Sequence, residues 1–304
     1  MGAQLRVVRQ RIRATKAIAK ITRAQELIAS SRIVKAQARM VAAQPYAREI
    51  TNAVSALISH SPNIEHPLLT EAPENRSRAA VLLLTSDSGF CGAFNANVLR
   101  EGQALSAMLR EDGVEPVPFI VGGKGVNWYR FRSLPIEQEW TGFSNNPTFD
   151  DAEKVGQALV AAFSETEEGR GVDEIHIVFT EFESMLTQRP AVRRVLPLVI
   201  EESEEEAPSG VRSDYEFEPD PEEVLDALLP NYVESRVWAM MLQSAASEWA
   251  AKQRAMKSAT DNANDLISDL TRIANQARQA EITQEISEIV GGADALAEAN
   301  AGSE

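Results

Sequence analysis

The chain has 304 residues, 44% apolar and 25% charged, a balance that excludes an intrinsically disordered protein and supplies enough apolar material for a core. Its formal net charge of −15 argues against nucleic acid as the main partner, because a polyphosphate would be repelled. A single cysteine, Cys91, cannot form an internal disulfide, the basic start Met1–Lys20 does not read as a secretory signal, and no stretch reaches the ~20 apolar residues that a membrane-spanning helix needs.

From about Ala3 to about Ser59 there is no glycine, and the one proline is Pro45. Ala, Arg, Gln and Lys dominate, so the stretch predicts one long helix with a kink near Pro45. At 1.5 Å per residue it would span ~80 Å, far more than a globular domain needs. The middle changes texture. Ala79–Thr85, Val117–Val121 and Glu174–Thr180 are apolar runs of strand length, with helical stretches around Asn95–Arg110 and Asp150–Phe163. Strands alternating with helices predict βαβ units and a parallel sheet, to which Val192–Ile200 would add a strand. Glu201–Glu206 followed by Pro208, Ser209 and Gly210 reads as a solvated loop.

A second long helix is expected from Asp220-Pro221-Glu222-Glu223, where a capping aspartate, a first-turn proline and acidic residues coincide. Pro230 predicts a kink and Gly291-Gly292 the stop. Leu242, Ala245, Trp249, Lys252, Met256, Ala259, Ala263, Leu266, Leu270, Ile273, Ala277 and Ala280 alternate spacings of three and four, a heptad seam with Lys252 as its one charged member. The expected fold class is therefore α/β: a long antiparallel coiled coil of N- and C-terminal helices with an inserted Rossmann-like α/β domain. The expected divisions are 1–60, 76–212 and 220–304. A swapped dimer is the competing geometry.

On the first helix Arg6, Arg9, Arg13, Lys16, Lys20 and Arg23 form one basic stripe, beside a seam of Leu5, Val8, Ile12, Thr15, Ala19 and Thr22. Such a stripe is either a surface for acidic partners, a plain solvated face, or a nucleic-acid arm; the last lacks the aromatic side chains that stack on bases. The segment Ser86–Asn95 follows a strand and opens a helix, where a Rossmann-like sheet carries its ligand loop, yet it fits neither the GxGxxG nor the GxxxxGK[ST] pattern. Val121-Gly122-Gly123-Lys124-Gly125 reads as a strand-to-glycine turn. Cys91 has no histidine near it in sequence, and His60, His66 and His176 show no metal spacing. No catalytic triad, metal site or cofactor site is expected, and His176 reads as a packed strand residue.

Several longer motifs carry a resemblance. Lys20-Ile21-Thr22-Arg23-Ala24-Gln25, the Ser86–Asn95 segment, Glu218-Pro219-Asp220-Pro221, the stretch from Ala255 to Ala263 and the stretch from Ile282 to Ala293 together resemble the gamma subunits of bacterial rotary (F-type) ATP synthases, from end to end of the chain. The resemblance implies a non-catalytic central-stalk rotor: proton flow through the c ring turns it, and it drives the beta subunits through their conformational cycle. Implied partners are the alpha and beta subunits, the epsilon subunit and the c ring, at the cytoplasmic face of the bacterial plasma membrane, as a peripheral protein without a span of its own. By the same resemblance Arg6, Arg9, Arg13, Lys16, Lys20, Arg23, Arg278, Gln279 and Gln284 would meet the beta subunits. Residues Ile282 to Leu296 would turn in the apolar sleeve of the ring, and Tyr215, Phe217 and Glu218 would meet the c ring and epsilon.

The sequence departs from the family pattern at Ser88, where a basic residue is usual, and at Phe90, where leucine is usual. With one cysteine it cannot use the redox pair of the photosynthetic type. Two other classes compete with the rotor: a nucleotide-dependent α/β enzyme using the Ser86–Asn95 turn, and a static coiled-coil adaptor.

Overall fold

The structure, a computed structural model, describes residues 2–60, 76–165, 171–197 and 221–301. In chain order these form α1 (Gly2–His60), β1 (Arg78–Leu84), α2 (Phe94–Glu111), β2 (Glu115–Val121), α3 (Gly123–Phe131), β3 (Gln138–Trp140), α4 (Phe149–Ser164), β4 (Glu174–Phe182), β5 (Gln188–Leu196) and α5 (Pro221–Ala301). The chain divides into two compact units: residues 29–252, and residues 1–28 with 253–304.

In the larger unit a five-stranded sheet runs in the order β3-β2-β1-β4-β5. β1 pairs in parallel with β2 and β4, β2 pairs in parallel with β3, and β5 closes the edge antiparallel to β4. Helical crossovers force the parallel pairs, while a short turn suffices for the β4–β5 hairpin. β1 shows why its sequence is an unbroken apolar run. Ala80, Leu82 and Leu84 face one cluster, shared with Val155 and Leu159 of α4, Val54 and Leu57 of α1, and Val233 and Val237 of α5. Ala79, Val81 and Leu83 face the other, with Val98, Leu105 and Leu109 of α2 and Val126 of α3. A strand covered on both faces has no polar alternation to show.

Local signals set the element ends. Thr148 caps α4 reciprocally: its side chain accepts from the backbone N–H of Asp151, and the Asp151 carboxylate accepts from the Thr148 backbone at 2.8 Å. The glycine-rich run after β2 does more than turn. Gly122 has φ +99°, and a Cβ there would lie 2.2 Å from the Thr85 carbonyl oxygen, so only glycine fits. α3 then starts directly at Gly123, a helix that the turn reading did not include, and β3 is likewise an element that the sequence did not signal.

In the smaller unit α1 and α5 run antiparallel. Leu5, Ile12 and Arg13 line a groove with Glu281, whereas Thr22 meets Thr260, whose hydroxyl donates at 2.8 Å. Along α1 the buried or half-buried positions Leu5, Val8, Ile12, Thr15, Ala19 and Thr22 are those of the expected seam. On α5 the seam differs from expectation in one of its two columns. Met256, Ala259, Ala263, Leu270 and Ala277 are buried or half-buried as expected, but from Thr260 on the second column is Thr260, Ile267, Ala274 and Glu281. Leu266 and Ile273 are 49% and 42% exposed. Pro45 and Pro230 both lie inside their helices. Gly291-Gly292 is not the stop, since α5 continues to Ala301: glycine only weakens a helix, and a stop requires left-handed geometry that neither residue adopts here.

Candidate functional site

Two regions carry the residues that the sequence singled out. In the two-helix unit all six members of the basic stripe, Arg6, Arg9, Arg13, Lys16, Lys20 and Arg23, are exposed. Each follows a seam residue by one position, so about 100° of helix rotation separates it from the buried side. Arg6, Arg9 and Arg13 line an open groove of about 930 Å³ together with Leu5, Ile12 and Glu281. Glu281 stands about one helical turn from both Arg278 and Gln284, which are exposed, as is Gln279. The pairing thus brings the N-terminal part of the stripe to the stretch of α5 that contains the other three expected residues. Arg23 is engaged within its own helix: its guanidinium donates to both carboxylate oxygens of Glu26 at 2.9 and 2.8 Å. Glu26, 7% exposed, is an acidic residue in the α1 seam. Tyr215, Phe217 and Glu218 lie outside the described residues, as do Glu201–Glu206 and most of the stretch from Glu165 to Gly171.

The second region is the carboxyl end of the sheet between β1 and β4. Crossovers leave toward β2 on one side of β1 and return to β4 on the other, so this is the switch point where such folds bind ligands. Here the crevice is filled by the chain itself. The N-terminus of α3, a natural anion site, is capped by the Asp87 carboxylate, which accepts from the Gly123 N–H at 3.0 Å and from the Ser144 N–H at 2.9 Å. Burial raises the Asp87 carboxyl, but backbone N–H groups of Gly142, Ser144 and Gly123 outweigh it and hold the group below the ordinary aspartate value. The Lys124 backbone N–H donates to the Ser86 carbonyl at 2.9 Å. What space is left beside Thr85, Val121, Ser144 and Met241 is about 10 Å³, no more than a water molecule needs.

From the other side α5 inserts Glu248, 1% exposed, and Lys252, 8% exposed. Lys252 Nζ donates to Glu248 at 2.5 Å and to Ser88 Oγ at 2.7 Å, and lies 4.8 Å from the Trp249 ring centre. Ser144 Oγ donates to Glu248 at 3.1 Å. Burial pushes the Glu248 carboxyl upward, against the pull of Lys252 and Ser144. The loop after β1 thus carries Ser88, and the cation beside it comes from α5. Cys91, 3% exposed, packs against Ser86 and Asn95, and burial raises its thiol, so it is no activated nucleophile. The sequence marks Lys252 as a seam residue and Asp87 only as part of the Ser86–Asn95 segment, and does not single out Ser144 or Glu248. The available signal was the opposite charge pair Glu248 and Lys252, four residues apart in a stretch of Ala and Ser.

No described helix is long and apolar enough to cross a membrane, and no described group of His, Cys, Asp and Glu could hold a metal ion. Comparison with known proteins adds the decisive observation. The family model described as ATP synthase matches residues 4–296. The ATP synthase gamma chain of Acidothermus cellulolyticus is 61% identical over 296 residues, covering 97% of this chain and 98% of the relative, and that of Thermobifida fusca is 57% identical over the full length of both. The chain belongs to the ATP synthase gamma-chain family. The fold agrees. A chain of the Euglena gracilis mitochondrial ATP synthase, from a structure titled as OSCP, F1 and c-ring in rotational state 3, superposes with a TM-score of 0.67 at 15% identity, over 97% of this chain and 95% of that one. A chain from the rotor of the same enzyme gives 0.65 over 93% and 100%.

Proposed function

We propose that the chain is the central-stalk rotor of a proton-driven ATP synthase, without catalytic activity of its own. Proton flow through a c ring turns it inside a ring of alpha and beta subunits, and its asymmetry biases the beta subunits between conformational states through differential contacts. Its place is the cytoplasmic face of the bacterial plasma membrane, held there by the complex. Divisions 1–60 and 220–304 serve as the shaft, and 76–212 as the part that meets epsilon and the c ring, with Tyr215, Phe217 and Glu218 beside it.

One observation carries this reading: α1 buries the Leu5–Thr22 seam on its antiparallel partner and leaves every basic residue of the stripe exposed. Six cations on one side of a shaft suit acidic segments of the beta subunits. Arg278, Gln279 and Gln284 extend that surface on α5. Exchanging Arg278 for alanine in the assembled enzyme tests the assignment. ATP synthesis driven by a proton gradient falls while assembly is retained; synthesis at the unaltered rate would contradict the role given to Arg278.

A further inference from the structure

Four residues near the middle of α5 make polar contacts with three different parts of the α/β domain. Ser247 Oγ donates to the Thr180 carbonyl at the end of β4, at 3.1 Å. Glu248 accepts from Ser144 Oγ, and Trp249 Nε1 donates to the Asn145 carbonyl at 2.8 Å, both on the segment between β3 and α4. Lys252 Nζ donates to Ser88 Oγ on the loop after β1. At 100° per residue these four positions span about 200° of the helix circumference. The helix is therefore gripped around more than half its girth. The grip is also dense: Ala246, Ser247 and Ala250 are fully buried.

The loops that do the gripping are themselves tied together. Asp87 accepts from the backbone of Gly123 and Ser144, and the Asp87 N–H donates to Ser144 Oγ at 2.9 Å, so the hydroxyl that reaches Glu248 is fixed from behind. The apolar attraction that holds α5 on the domain is itself non-directional, so resistance to turning comes from interdigitated side chains and from contacts with a fixed direction. Directional contacts at several angles around a helix oppose its rotation about its own axis. Apolar residues often stabilise such a joint as well as a buried ion pair does, so what distinguishes the pair is its directionality.

We propose that this collar keys α5 to the α/β domain against rotation, with Lys252 and Glu248 as its positioning residues, so that twist applied to the domain is passed along the helix. The proposal rests on the rotor reading and adds to it a site of torque transfer within the chain. Cutting the key lets the domain slip under load while turnover without load continues.

The test uses the complete ATP synthase in vesicles and, in parallel, the soluble alpha–beta ring assembled with the full chain. The variants are Lys252→Met, the neutral double variant Lys252→Met with Glu248→Gln, and Lys252→Arg. In both Met-containing variants, protons pumped per ATP hydrolysed fall roughly threefold or more, while ATP hydrolysis by the soluble assembly stays within about twofold of the unaltered chain. Lys252→Arg, which keeps the charge and the donors, restores the ratio. An unchanged pumping ratio in the double variant would overturn the proposal. So would a parallel loss of assembly and unloaded hydrolysis in every variant, which would reduce the collar to a folding element. Failure of the unaltered chain to support pumping would instead overturn the rotor reading, and the collar with it.

Discussion

Glu174 opens β4 with 1% of its surface exposed. Arg76 donates to it at 2.7 Å, the His176 Nε2 lies at 2.8 Å, and Arg194 stands at 3.9 Å. The hydrogen bond to His176, followed by that to Arg76, overcomes burial and holds the carboxyl down at about 2, against 4.5 for an unperturbed glutamate. The folded chain therefore binds fewer protons than the unfolded one between these values. This contribution to stability is fully present above about 4.5 and is lost as the pH falls toward about 2. Glu174→Gln should cost about 1–3 kcal/mol at neutral pH and remove that part of the acid sensitivity. Urea titrations of both proteins across the acid range check it, and equal slopes of stability against pH would contradict it. At Gly122 the backbone decides instead. An alanine there meets the Thr85 carbonyl at an unfavourable φ, and should cost about 2 kcal/mol or more by the same measurement.

At the scale of elements, β1, β2, β4 and α1 were legible because their signals are long and consistent: apolar runs of strand length, and a 3-4 repeat that holds from Leu5 to Thr22. The second column of the α5 seam was not. At Ala259-Thr260, Leu266-Ile267 and Ile273-Ala274 two adjacent residues could each face the partner, and apolarity favours the first. The partner helix chooses the second at the latter two pairs and covers both at the first, where Thr260 is accommodated because its one hydroxyl proton is shared between Met256 O and Thr22 Oγ1. Substitutions in the isolated chain discriminate the two registers. Leu270→Ala, at a 9% exposed position, should cost about 2–3 kcal/mol, and Leu266→Ala, 49% exposed, under about 1 kcal/mol. Equal costs would favour the register read from apolarity. α3 escaped the reading for a related reason. Gly122, Gly123 and Gly125 resemble a loop in composition, whereas the latter two lie inside a helix packed so closely on Thr85 that a Cβ at Gly125 would come within 2.6 Å of its hydroxyl.

For the whole molecule, the basic stripe and the failed phosphate patterns could be seen in the sequence, but not what fills the crevice. Asp87, Ser144, Glu248 and Lys252 lie up to 165 positions apart and meet only through the fold. Their meeting links the two ways of reading the chain, since the same residues that occupy the nucleotide position of a Rossmann-like sheet grip the long helix. In the proposed rotor role the chain turns over no ATP itself and enables other subunits to do so. ATP hydrolysis by purified alpha and beta subunits, with and without this chain and beside the chain alone, tests it most directly. A rotor gives no hydrolysis by the chain alone and sustained turnover by a stable assembly once it is added. Hydrolysis by the chain alone, or no association with the alpha–beta ring, would contradict it.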